Sequence, residues 1–183
     1  MSVVIAMLRG VNVGGNNLIK MEALRALCES LKCTDVATYV QSGNVVFRTA
    51  AKDIEKLRTK LESTIASTCG FAAPVVFRTV EDLQRIVSGN PFQQQAETEP
   101  GKVHVTFLYH DPGDTRRVAL RAMAFAPEEV RIEGREVYLY YPLGAGQSKL
   151  RWGPIEKALG TAGTSRNWNT VVKLLAMGKK LED

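Results

Sequence analysis

Apolar positions along the chain keep to two rhythms. VVIAMLR (3–9) is a continuous apolar run bounded by glycine, which predicts a buried strand. Residues 20–32 place Met21, Leu24, Leu27, Cys28 and Leu31 at helical spacing. DVATYVQ (35–41) and NVVFRT (44–49) are β-branched and aromatic, and Ser42-Gly43 between them is a tight-hairpin signal. Residues 52–68 set Ile54, Leu57, Leu61 and Ile65 on one helical face, and PVVFR (74–78) reads as a short strand. The order β-α-β-β-α-β is the ferredoxin-like arrangement. TVEDLQRIVSG (79–89) adds a short helix that stops at a glycine.

NPFQQQAETEPG (90–101) is polar and irregular and reads as a linker or exposed loop. The pattern then restarts. KVHVTFLY (102–109) predicts a strand, and DTRRVALRAMAF (114–125) a helix capped by Asp114 or Thr115. EVRI (129–132) and REVYLYY (135–141) flank a second hairpin at Glu133-Gly134. SKLRWGPIEKALG (148–160) predicts a helix with Ser148 as N-cap and Gly160 at its end, which Gly153-Pro154 should break or kink. TSRN (164–167) is a short strand and NTVVKLLAMG (169–178) a helix. In both halves a strand enters a helix through a Thr-Val pair, Thr79-Val80 and Thr170-Val171. The expectation is an α+β chain of two ferredoxin-like (βαββαβ) subdomains with antiparallel sheets, a duplication of architecture. The first subdomain spans 1–89, the linker 90–101 and the second subdomain 102–183.

Composition changes this picture little. With 183 residues and 45% hydrophobic content the chain can bury an ordinary core. A net charge of +5 bears on partners rather than on fold, and no Lys/Arg run is dense enough for a nucleic-acid tail. The sequence shows no signal-peptide pattern and no segment able to cross a bilayer, so a membrane is not an expected partner. Cys28, Cys33 and Cys69 are odd in number and lack CxxC spacing, which argues against disulfides or zinc and for reduced thiols in a cytoplasm. With only His104 and His110 a His-rich metal site is excluded, and no metal ligand set is marked.

The candidate chemistry lies in loops. In an antiparallel βαββαβ sheet the loop after the first strand and the hairpin between the second and third lie at one end. RGVNVGGNN (9–17) should therefore meet QSGN (41–44), both rich in glycine and side-chain amides. In the second half the rich stretches are LGAGQSK (143–149) and TSRNWNT (164–170), which follow strands running the other way and meet at the opposite end. Glycine lets backbone N–H groups approach an anion, and a helix N-terminus adds a favourable field. Lys20 and Lys149 each fall in a predicted first helical turn, where a cation opposes the helix dipole unless an anion lies between. The plain alternatives are that Glu22 offsets Lys20, that the asparagines serve their own turns, and that Trp168 anchors its loop onto the core.

Two motifs fail. GAGQSK lacks the GxxxxGK[ST] order of a phosphate-binding loop, and GVNVGG is not GxGxxG. No triad or nucleophile elbow can be assembled; Ser42 and Ser148 read as turn or cap residues.

LRGVNVGGNNLIKMEALRALCESL, TYVQSGNVVF, NPF, VYLYYPLGAGQSKL with IEKALG, and GTSRNWNTVVKL resemble, in order and over nearly the full length, a bacterial family of uncharacterised proteins, a domain of unknown function. The resemblance implies two ferredoxin-like subdomains and brings no agreed activity, cofactor or catalytic residue. Asn16-Asn17 stands where that family often carries a lysine.

The expected function is binding, with turnover left open, of a phosphorylated small molecule or nucleotide in a cleft between the subdomains. Arg9, Lys20, Lys149 and Arg166 would hold anionic oxygens. Asn12, Gly14, Gly15, Gln41, Ser42, Asn44, Ser148, Asn167 and Asn169 would shape the walls and fix orientation. The alternatives are an RNA- or single-strand-binding protein, for which no RNP-type aromatic pattern is found, and a protein-interaction scaffold.

Overall fold

A computed structural model describes residues 1–183. The first sheet is built from β1 (Ser2–Leu8), which leads through a long loop to helix α1 (Met21–Ser30), then β2 (Thr34–Tyr39), β3 (Asn44–Thr49), α2 (Ile54–Cys69) and β4 (Val75–Thr79). The strand order is β2-β3-β1-β4, antiparallel throughout, which is the ferredoxin-like arrangement. α3 (Val80–Ser88) follows β4 directly, and α4 (Gln93–Thr98) follows α3. The second sheet repeats the order with β5 (Val103–Leu108), α5 (Asp114–Arg121), β6 (Glu129–Glu133), β7 (Glu136–Tyr140), α6 (Trp152–Leu159) and β8 (Gly163–Asn167), paired as β6-β7-β5-β8. α7 (Trp168–Glu182) closes the chain. No helix is long and apolar enough to cross a membrane.

The chain forms two compact units, Met1–Gln84 with Lys173–Asp183, and Arg85–Val172. In the first unit Val4, Ala6 and Leu8 of β1 join Val45, Phe47, Val75 and Phe77 beneath α1 and α2. Sixteen buried residues make that core, including Leu24 and Cys28 from α1 and Leu57, Leu61 and Ile65 from α2. Alternation along β1 turns Ile5 to the other face, against the end of α7. A Cβ added at Gly178 would stand 2.8 Å from Val80 Cγ2 and 3.3 Å from Ile5 Cδ1, so only glycine allows that approach. Asp53 caps α2 by accepting from the Lys56 N–H at 2.9 Å, and Gly70 ends it in the left-handed region.

In the second unit eight buried residues form the core between the sheet and α5 and α6: Leu108, Leu120, Ile132, Val137, Leu139, Tyr141, Ile155 and Leu159. Its covering helices have 8 residues each, where α1 and α2 have 10 and 16.

Several local readings of the sequence are corrected, among them the cap of α5, which is Gly113 and not Asp114 or Thr115, and its end, at Arg121 and not Phe125. The stretch 90–101 is not irregular: α4 forms there because Phe92 and Ala96 are buried, with the Ala96 N–H donating to Phe92 O at 2.8 Å. The first hairpin turns through four residues, 40–43, since Tyr39 pairs with Asn44. α6 starts at Trp152 with Arg151 as N-cap, so Ser148 does not cap it and Lys149 is not in its first turn. Pro154 lies inside the first turn, where its missing N–H costs nothing, so it begins the helix instead of kinking it.

Candidate functional site

The first unit brings RGVNVGGNN and QSGN together through one side chain. Asn12 Nδ2 donates to Ile19 O at 2.9 Å and to Gln41 O at 2.8 Å, while its Oδ1 accepts from the Ile19 N–H at 2.8 Å. Both amide donors of Asn12 are thus committed within the protein. Asn17 Nδ2 donates to Gly10 O at 2.9 Å, and the Asn12 N–H donates to Asn17 O at 3.1 Å. Asn12 at φ 54 and Asn17 at φ 50 take left-handed backbone, as asparagine tolerates. Asn44 is buried and its amide donates to Tyr39 O and to Ser42 Oγ, which fixes the hairpin turn. Gly43, at φ 74, lies under the loop: a Cβ there would be 2.6 Å from Val11 Cγ2 and 2.8 Å from Leu8 Cβ.

The other groups of this pair lie outward. Gly14, Gly15 and Gln41 are exposed, Arg9 is half-buried with its N–H on Pro74 O, and Lys20 is exposed as the N-cap residue of α1. Glu22 occupies the first turn of α1 beside it. Val13, Leu18 and Val40 are apolar and exposed at the tips.

The second unit places Tyr140 and Asn167 at the same end of its sheet, opposite Val103 and His104. One loop leaves there, after β7, since β8 runs directly into α7. Residues 141–151 lie against the segment 123–128 that follows α5. The Gly144 N–H donates to Tyr141 O and the Gln147 N–H to Gly144 O. Ser148 Oγ donates to Glu128 Oε1 at 2.6 Å and accepts from the Leu150 N–H at 3.0 Å, which clamps the loop to the segment before β6. Between these segments and α6 opens a cavity of about 550 Å³. Lys149, Arg151, Gln147 and Glu128 line it with Met123, Phe125, Leu143 and Ile155. Lys149 and Arg151 are exposed, as is Leu143 at 65%. α6 begins at this wall without a side-chain cap.

TSRNWNT does not line the cavity. Arg166 points to the sheet face away from α5 and α6, is 8% exposed, and donates to Thr164 Oγ1 at 2.7 Å and Ser165 O at 2.8 Å. Burial lowers its pKa to about 10. Asn167 Oδ1 accepts from the Thr170 N–H at 2.9 Å and caps α7. Trp168 is buried and Asn169 is exposed.

His104 faces the core beside Tyr141, edge-on at 5.1 Å, and burial lowers its pKa. Cys28 and Cys33 are free buried thiols; burial, with Cys33 beside it, pushes Cys28 up to about 12, and burial pushes Cys33 up to about 11. No group of three His, Cys, Asp or Glu side chains is gathered to hold a metal ion.

Sequence reasoning singled out LGAGQSK and Lys149 but missed Arg151 and Glu128. Arg151 was visible as a second cation two residues beyond Lys149. Glu128 carried no local signal, because only the fold of residues 122–128 brings it to Ser148.

These features define a class of α+β protein: two ferredoxin-like units with antiparallel sheets, the second holding a loop-walled cavity. Within that class the chain belongs to the DUF1697 family, described as a protein of unknown function, whose family model matches residues 1–138. It is also similar to the solved structure of a conserved bacterial protein, SP0830 from Streptococcus pneumoniae, with 20% identity and a TM-score of 0.73. The match covers 96% of this chain and 98% of that chain, and it shows the fold. No curated protein matches the sequence.

Proposed function

We propose that this protein binds a phosphate-bearing small molecule in the cavity of its second unit. The observation that carries the reading is the cavity itself, about 550 Å³, walled by the loop that the sequence marked for anion chemistry. That volume is in the range of small-ligand sites, roughly 300–1,000 Å³. Lys149 and Arg151 hold the anionic oxygens, Arg151 with a bidentate fork and Lys149 as a point charge. Gln147 orients the ligand, and the apolar wall takes the remainder. Ser148 acts through Glu128 to keep the loop in place. Buried free thiols at Cys28 and Cys33 support a reducing compartment, the cytoplasm.

The test is thermal stability against a panel of nucleotides, sugar phosphates and other phosphate monoesters. A ligand at a hundredfold excess over its dissociation constant should stabilise by about 2.7 kcal/mol. Lys149→Ala and Arg151→Ala alter exposed side chains and should leave the unliganded protein folded. Each should weaken binding by about tenfold or more. A panel with no stabilising member overturns the reading, as does stabilisation undiminished in the double variant.

A further inference from the structure

The walls of this cavity also carry information about what the rest of the ligand is. Of its thirteen lining residues only Glu128, Gln147, Lys149 and Arg151 are polar. Glu128 Oε1 is already taken by Ser148. Gln147 is then the one neutral polar side chain on the wall. A nucleoside or a sugar presents several hydroxyl and ring-nitrogen groups, each of which loses water on entry and needs a partner. The side chains of this wall do not supply such a set. It supplies Met123, Phe125, Leu150, Pro154 and Ile155, with Leu143 65% exposed at the rim. A leucine left in solvent beside two cations is what an apolar tail with an anionic end would cover. Met123 adds a side chain that adapts to tail shape.

Resting on the binding reading above, we infer that the ligand is an anionic amphiphile: a phosphate monoester whose ester group is an alkyl or aryl hydrocarbon, with Lys149 and Arg151 on the phosphate and the apolar wall on the tail. The charge balance agrees. Lys149 and Arg151 against Glu128 leave the wall one positive charge in excess, which favours an anionic head over a neutral or cationic one.

The experiment titrates the full chain calorimetrically with inorganic phosphate, AMP, and n-butyl, n-hexyl and n-octyl phosphate below their micelle concentrations. A parallel arm uses vesicles containing an anionic phospholipid. Burying one methylene is worth about 0.8 kcal/mol, so affinity should rise about fourfold per methylene until the tail outgrows the cavity. Octyl phosphate should bind far more tightly than AMP or inorganic phosphate. Leu143→Ser, at an exposed position, should flatten the chain-length dependence. Arg151→Ala should weaken every member by the same factor. A flat series with AMP or inorganic phosphate still bound through Lys149 and Arg151 overturns this inference and leaves the binding reading standing. Binding to vesicles alone overturns the choice of a free monoester. No binding of any phosphate overturns both.

Discussion

Asn12 is the side chain on which the first loop pair depends, and its removal gives the sharpest test of that geometry. The substitution to use is Asn12→Gly. Asn12 has φ 54, so alanine would add backbone strain to the loss of the amide, whereas glycine accepts that φ. Three hydrogen bonds go with the side chain, two tying residue 12 to Ile19 and one tying it to Gln41. A typical net value is about 0.5–1.5 kcal/mol per bond, and the exposed bond to Gln41 belongs at the low end. Glycine also adds roughly 0.5–1 kcal/mol through the unfolded chain. The expected loss is therefore about 2–4 kcal/mol, a large share of the roughly 5–15 kcal/mol that holds a domain folded. The control is Asn16→Ala, whose Nδ2 reaches only Gly14 O at 3.5 Å in solvent and which should change stability by less than about 0.5 kcal/mol. Urea unfolding reads both as a shift of midpoint at constant slope. Amide exchange at Ile19 gives a local readout, since its N–H loses its acceptor in the variant. Asn12→Gly unfolding at the wild-type midpoint, with Ile19 still protected, would refute the argument.

Gly43→Ala should cost about 2–5 kcal/mol, roughly 1–2 from left-handed backbone and roughly 1–3 from overpacking against Val11 and Leu8. Gly15→Ala, at φ 77 with open space around it, should show the backbone part alone, and equal losses in the two variants would defeat the packing argument. His104 is held below its ordinary pKa of 6.5 by burial, so the unfolded chain binds more protons than the folded one once pH falls below about 6.5. Stability should therefore drop as pH falls through 6.5 towards the lower folded value, and the midpoint temperature of His104→Gln should fall less steeply over the same range; parallel slopes would exclude His104 as the cause.

The sheets and the first loop pair were legible because their signals are local. Short apolar and β-branched runs bounded by glycine or turn residues predict strands, and a Gly/Asn cluster between a strand and a helix predicts left-handed turns. That RGVNVGGNN lies beside QSGN follows from the antiparallel order once the strands are placed; that Asn12 spends its amide on Ile19 and Gln41 does not. Arg166 was not legible as a buried group, because a one-residue step along β8 decides which face receives it. Composition cannot set that step: TSRN has no apolar residue to mark the inner face. The start of α6 was obscured by Ser148, a good N-cap by residue type. In the fold its hydroxyl is engaged by Glu128 and by the Leu150 N–H. α4 was hidden because its anchors, Phe92 and Ala96, are too few to make a periodic pattern.

The cavity arises from a difference between two units with the same order of elements. In the first, residues 50–53 join β3 to a helix of 16 residues, and the core between sheet and helices has sixteen buried residues. In the second, residues 141–151 join β7 to a helix of 8 residues, and the core has eight. The periodicity of DTRRVALRAMAF continues to Phe125, yet α5 stops at Arg121. After Arg121 the chain must reach β6 at Glu129, and Pro127, which has no N–H to give to a helix, stands between them. Met123 and Phe125 are thereby released from the helix and become cavity wall. The long connection 141–151 forms the facing wall and brings Lys149 and Arg151 with it. A shortened helix would ordinarily leave apolar surface bare, at a cost of roughly 25 cal/mol per Å². Here the same shortening leaves a space with cations at its rim. Met123 and Phe125 lie half-buried against the core beneath that space, so Leu143, 65% exposed, is the one of the three apolar side chains that the proposed ligand would have to cover.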